Sequence, residues 1–165
     1  MREKLWNLLD KARFEYCYYE ECRARLLFWR SAVRSAKIAA LVALAGGIAA
    51  GIAGLHGPGF AAQAVALGAW TALTACEQPL RDKLGALGYA LPEMSARLRR
   101  LHGDWHKVNG VYEYKEKDVA KMFATHMGRL EAISEKYLDG LNLPRSKKLA
   151  ARASEIAAVY ANKLS

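Results

Sequence analysis

KIAALVALAGGIAAGIAGLHGPGFAAQAVALGAWTALTACE, Lys37 to Glu77, carries no charged residue between its two ends. Its polar side chains are His56, Gln63, Thr71 and Thr74. His56-Gly57-Pro58-Gly59 divides the stretch, and glycine with proline is turn chemistry. The apolar run on each side is roughly 18–20 residues long; at 1.5 Å rise per residue each reaches about 30 Å, the thickness of bilayer hydrocarbon. The pattern predicts a transmembrane helical hairpin: one span over 36–55, a short turn at 56–59 and a second span over 60–77.

The two spans differ in strength. Ile38, Leu41, Val42, Leu44, Ile48, Ile52 and Leu55 favour insertion of the first by roughly −2 to −4 kcal/mol, at about −0.3 to −0.6 for each strong apolar side chain. The second sets Phe60, Val65, Leu67, Trp70 and Leu73 against Gln63 and two threonines, and inserts alone only marginally. As a hairpin, each helix satisfies the other's polar groups. A helical pair buried in a soluble core is the competing reading, but the rest of the chain has too few apolar stripes to wrap two helices that are apolar all round.

Small residues recur at one-turn spacing. Gly47-xxx-Gly51, extended by Gly46, Ala50 and Gly54, marks a face of the first span; Gly68 with Ala61, Ala64 and Ala72 does so on the second. Such faces allow close helix approach, within the hairpin or between copies. Gln63, Thr71 and Thr74 are expected to face protein or a watery lumen, because an unpaired polar group in lipid is costly.

Charge sets the orientation. Arg25, Arg30, Arg34 and Lys37 precede the first span and Arg81 and Lys83 follow the second, while 56–59 contains neither lysine nor arginine. The positive-inside rule places both termini in the cytoplasm. Phe28 and Trp29 beside Arg30 form an expected interfacial anchor. The mean hydropathy of −0.08 averages the apolar hairpin with charged flanks. The net charge of +9 over 165 residues suits an anionic partner. Cys17, Cys22 and Cys76 follow no metal spacing, and their odd number argues against a disulfide framework. The first apolar run begins about 36 residues in, behind a charged segment, which is not the layout of a signal peptide.

The flanks read as helices. Residues 1–35 form an amphipathic helix, with Leu5, Leu8/Leu9, Ala12, Tyr16, Tyr19, Cys22, Leu26, Trp29 and Val33 along one face, unbroken into the first span. Tyr16, Tyr18 and Tyr19 among basic residues have the composition of a base-stacking surface, but aromatics at helical spacing read as core, and nucleic acid is not the expected partner. Residues 78–165 form a C-terminal helical region. Gly85 and Gly88 make 81–90 hinge-like, and a helix is expected to start at Leu91-Pro92-Glu93. His102 and His106 have a spacing that suits a metal, yet no third ligand is evident, and two surface histidines is the better reading. Val108-Asn109-Gly110-Val111 marks a turn. A helix follows with Val119, Met122, Phe123, Met127, Leu130, Ile133, Tyr137 and Leu138 on its stripe and Gly140 as its stop. Leu141-Asn142-Leu143-Pro144 breaks the chain before a last helix over 145–164, with Leu149, Ala153, Ile156, Tyr160 and Leu164 inward. The fold class is all-α: a transmembrane hairpin with cytoplasmic helices in a bundle, expected to be oligomeric; the apolar stripes need partners, from within the chain or from other copies.

No nucleophile elbow, phosphate-binding glycine loop, zinc motif or dinucleotide fingerprint is present. Carboxylates lie scattered among basic residues. The chain reads as non-enzymatic, without metal or resident cofactor.

This layout resembles the SLATT-type two-transmembrane effectors of bacterial nucleotide-signalling (CBASS-like) defence. The resemblance lies in "KARFEYCYYEECRARLLFWR" leading into the first span, the hairpin "ALAGGIAAGIAGLHGPG" and the tail "EKYLDGLNLPRSKKLAARASEIAAVYANK". It covers most of the chain in architecture and texture, without a diagnostic motif, and "HGDWHKVNGVYEYK" falls outside it. The resemblance implies a multi-pass protein of the bacterial inner membrane with a periplasmic turn. Such a protein oligomerises and disrupts the membrane in response to a cyclic nucleotide or oligonucleotide made by a neighbouring synthase. Arg13, Arg23, Arg97, Arg99 and Arg100 are the candidate anion contacts. A holin-like lysis protein and a non-toxic membrane scaffold share the two spans and remain alternatives.

Overall fold

The structure, a computed structural model, describes residues 1–54, 56–110, 114–143 and 146–163, with side chains at all of these except 56, 58 and 160–163. All regular structure among the described residues is helical: α1 (Arg2–Ile52), α2 (His56–Asn109), α3 (Glu116–Ile133) and α4 (Lys147–Lys163). A π-helical turn, Ser134–Leu138, extends α3. The chain divides into a hairpin unit, Arg25–Leu84, and a helical unit made of Met1–Ala24 with Gly85–Ser165.

In the hairpin unit the inward positions alternate in steps of four and three. On α1 they are Val33, Lys37, Ala40, Leu44, Gly47 and Gly51; on α2 they are Gly59, Gln63, Ala66, Trp70, Leu73 and Glu77. This is the 3.5-residue repeat that keeps one seam facing its partner along two helices. The seam is tightest where side chains vanish. A Cβ on Gly59 would stand 3.0 Å from the Gly47 carbonyl oxygen and 3.1 Å from the Gly51 nitrogen. One on Gly47 would meet Gln63 Cγ at 2.9 Å and the Gly59 oxygen at 3.1 Å.

The reversal lies earlier than the glycine-proline sequence suggests. Ala53 and Gly54 make the turn, with Gly54 at φ +89°, and 56–59 is the opening turn of α2 rather than the connection. Proline costs nothing there, because first-turn N–H groups have no helical acceptor. Leu55 lies outside the described residues.

The second difference concerns 81–90. No hinge interrupts α2, and no helix begins at Leu91; Pro79 and Pro92 both lie inside one continuous helix. Each proline leaves the carbonyl four residues back without its N–H, at about 3 kcal/mol. Around Pro92 the burial of Leu87, Ala90, Leu91 and Met94 offsets that cost.

Two apolar clusters of the helical unit lie wholly among the described residues. Leu5, Leu9 and Ala12 of α1 pack with Leu101 and Val108 of α2 and Val119 of α3, ringed by Leu8, Leu98, Trp105, Met122, Phe123 and Leu130. Cys17 of α1 packs with Ala153 and Ala157 of α4, flanked by Phe14, Tyr16, Tyr18 and Ile156. Tyr16 and Tyr18 thus pack, half-buried, against this core, and Tyr19 is half-buried beside Tyr18. Gly140, at φ +77°, closes the helix after Leu138 as expected. Val111, Pro144, Arg145 and Leu164, together with the Tyr160 side chain, lie outside the described residues.

The two glycine environments predict opposite responses. Gly59→Ala forces backbone against backbone and should destabilise the hairpin by roughly 1–3 kcal/mol. Gly68→Ala meets nothing within 4 Å and should be neutral or stabilising by up to about 1 kcal/mol through helix propensity. Helical circular dichroism during detergent denaturation measures both; equal midpoints would rule out the tight seam.

Candidate functional site

Two regions bear on function: the outer surface of the hairpin and the polar surface of the helical unit. On the hairpin, small residues share the seam with Val33, Leu44, Trp70 and Leu73, and many of the large apolar side chains lie outside. Val42 is 67 % exposed, Ile52 84 %, Phe60 69 % and Val65 73 %. Both helices are long and apolar enough to cross a membrane, and within the most apolar 18-residue window of each only 11 % is buried. A helix in a soluble core would be mostly buried.

The expected packing glycines divide by face. Gly47 and Gly51 lie in the seam and Gly54 in the reversal, whereas Gly46 and Gly68 face outward, where an added methyl group would meet no atom within 4 Å. Gln63 sits half-buried in the seam over Gly47. The threonines need neither lumen nor protein. Thr71 donates its hydroxyl proton to the Leu67 carbonyl at 2.9 Å and Thr74 to that of Trp70 at 2.8 Å, so each polar group is satisfied within its own helix and tolerates lipid.

At the charged end of the hairpin, Lys37 Nζ donates to Glu77 Oε2 at 2.7 Å and lies 4.7 Å from the Trp70 ring centroid. The two charges that bound the uncharged interval thus neutralise one another across the seam. Of the expected anchor, Phe28 and Trp29 are exposed and meet edge to face at 6.1 Å, and Arg30 is half-buried beside them.

In the helical unit the five arginines proposed for an anion do not share one place. Arg23, Arg99 and Arg100 are exposed, Arg97 is half-buried and Arg13 is core. Arg13 is 3 % exposed, its guanidinium 5.5 Å from the Trp6 ring centroid, and its Nη1 has no hydrogen-bond partner among the described residues. Burial lowers its pKa, with Asp10 partly opposing.

Histidine placement exceeds what spacing shows. His102 and His106 bring their Nε2 atoms to 3.0 Å, His102 being half-buried and His106 exposed; burial, His106 and Arg13 together push the His102 pKa down. No group of three metal-ligating side chains occurs among the described residues. His126, absent from the apolar stripe, is buried on α3 at 5 % exposure. Its Nε2 meets Asp104 Oδ2 of α2 at 2.9 Å, and Lys107 Nζ reaches the other carboxylate oxygen at 3.2 Å. Burial works against the Asp104 charge, but these bonds outweigh it and hold the carboxyl below its usual range. A histidine at one helical phase of α3 was the available clue, but it names no partner 22 residues away.

Beside that pair lies a groove of about 560 Å³, lined by Arg100 and Asp104 of α2, by Tyr114, and by Asp118, Lys121, Met122, Thr125, His126 and Arg129 of α3. A second groove of about 430 Å³ between α1 and α3 is lined by Leu8, Ala12, Phe123, Met127 and Leu130 together with polar residues that include Lys4, Lys11, Glu15 and Glu131; burial raises the Glu15 pKa.

Two stability predictions follow from these polar groups. Arg13→Met removes a buried cation with an orphan donor and keeps its packing length, so the melting temperature should rise, by roughly 1–3 kcal/mol of added stability; a fall would mean the guanidinium is held by more than Trp6. Asp104→Asn should cost about 1–2 kcal/mol at neutral pH. Because the folded pKa lies below 3.8, the stabilisation is present above that value and disappears as pH falls through the folded pKa. Melting curves of the two proteins should therefore converge in acid.

Comparison with known protein families, with curated proteins and with solved structures returns no match for this chain.

Proposed function

We propose that the chain is a two-span protein of a bacterial inner membrane, both termini cytoplasmic, that disrupts this membrane as the effector of nucleotide-signalled anti-phage defence. The outward apolar face of the hairpin carries the membrane part of this reading. In water, side chains such as Val42, Phe60 and Val65 would leave a continuous apolar surface exposed, at about 25 cal/mol per Å². In lipid that surface is matched, and the backbone is satisfied within the helices.

The disruptive role rests on the resemblance in architecture and on the hairpin's construction. Gly47 and Gly59 leave no space for a channel between the two helices of one copy, so permeation requires several copies. Their outward faces offer Gly46 and Gly68 for close approach. The role is one of assembly, without catalysis. A holin-like protein would need the hairpin but not the helical unit with its own cores.

Induced expression in a bacterium, with cell fractionation and a voltage-sensitive dye, tests this directly. The protein should appear in the inner membrane and depolarise it, at once or when cyclic oligonucleotides are supplied, and Gly59→Ala should weaken the response. Recovery in the soluble fraction would overturn the membrane reading. Membrane residence without depolarisation under any supplied nucleotide would overturn the effector role and leave a scaffold.

A further inference from the structure

We propose that the groove between the end of α2 and α3 is a binding site for a phosphate-bearing anion. The inference concerns the helical unit by itself and does not rest on what the hairpin does in a membrane.

Helical periodicity gathers the charges. Lys121, Thr125 and Arg129 stand four residues apart on α3 and share a face; Arg100 stands one turn before Asp104 on α2. All of them line one groove of about 560 Å³, a size typical of small-ligand sites.

The carboxylates in this groove do not neutralise its cations. Asp104 is committed to His126 and Lys107, at 2.9 and 3.2 Å. Arg100, Lys121 and Arg129 form no ion pair among the described residues. Among the described residues that line the groove Asp118 is the remaining acid, so three cations there face one uncommitted carboxylate. Like charges lining a concave wall repel one another and focus a positive potential into it, and an anion relieves that repulsion.

The donors indicate which anion. Two guanidinium forks suit the oxygens of phosphate, and a lysine adds a point charge. Tyr114, which also lines the groove, carries a neutral O–H donor. Thr125 offers no proton, since its hydroxyl donates to the Lys121 carbonyl at 2.8 Å. A single carboxylate would satisfy one arginine and leave two cations facing each other; a phosphate or diphosphate group, with more charge and more oxygens, answers all three. A free phosphate ester and a phospholipid headgroup share this chemistry.

Isothermal titration calorimetry of the full chain in a non-ionic detergent tests the site, with pyrophosphate as the free-phosphate probe and short-chain phosphatidylglycerol as the headgroup probe. Binding of at least one is expected, weakening as salt rises. Arg100→Gln and Arg129→Gln should each weaken it roughly tenfold, and Asp118→Asn should tighten it. Arg99→Gln, exposed on the same helix but outside the groove, should leave it unchanged. All four positions are exposed, and unchanged circular dichroism checks the fold. Binding of pyrophosphate alone assigns the site to a free phosphate ester; binding of the lipid alone assigns it to a headgroup. Absence of heat with both probes, or an equal loss in Arg99→Gln, overturns the proposal.

Discussion

Two helices lie backbone to backbone only where neither has a side chain in the way, and the hairpin depends on that condition at Gly47 and at Gly59, which lies against the Gly51 backbone. Contact at 3.0–3.1 Å from a would-be Cβ replaces the side-chain interdigitation of an ordinary coiled coil. The consequence runs outward. Where small residues occupy the seam, large apolar side chains such as Leu41, Val42, Ile48, Phe60 and Val65 lie outside, and the unit acquires an apolar exterior. Close packing inside and an apolar surface outside are one arrangement seen from two sides.

At the other end of the same seam the constraint changes character. Lys37, Glu77 and Trp70 replace glycine with an ion pair and a cation–π contact, half-buried at the limit of the uncharged interval. Removing Glu77 would leave the half-buried Lys37 ammonium without its carboxylate over the Trp70 ring, which is more costly than never having had the pair. The hairpin is thus held by dispersion at its tip and by charge at its base.

The helical unit handles polar groups differently. Its carboxylates and histidines tie helices to one another, as Asp104 does with His126 and as Glu21 of α1 does with Arg152 of α4 at 3.4 Å. Arg13 is the exception, a guanidinium sealed under Trp6 with one nitrogen orphaned. Among the described residues, the cations of α3 and of the last turns of α2 that line the groove have no carboxylate partner. A net charge of +9 is therefore distributed unequally, with an uncommitted part gathered on one groove.

Helix content, the uncharged interval and the apolar stripes were determined by the sequence alone, because period and hydropathy are local properties. Leu5, Leu9, Leu101, Val119 and Leu149 fall inward as their spacing requires. What only tertiary structure decided are the points where local chemistry and packing disagree. Pro58 and Gly59 read as a turn yet open a helix, because proline is harmless in a first turn and Gly59 is needed for the seam. Gly85 and Gly88 read as a hinge and Pro92 as the start of a new helix, yet all three lie within α2, because burial of Leu87, Ala90, Leu91 and Met94 outweighs the glycines' freedom and the hydrogen bond lost at Pro92. Which glycines face a partner helix, and which cations share a groove, depends on helices brought together from distant parts of the chain, and spacing along one helix carries no record of its neighbour.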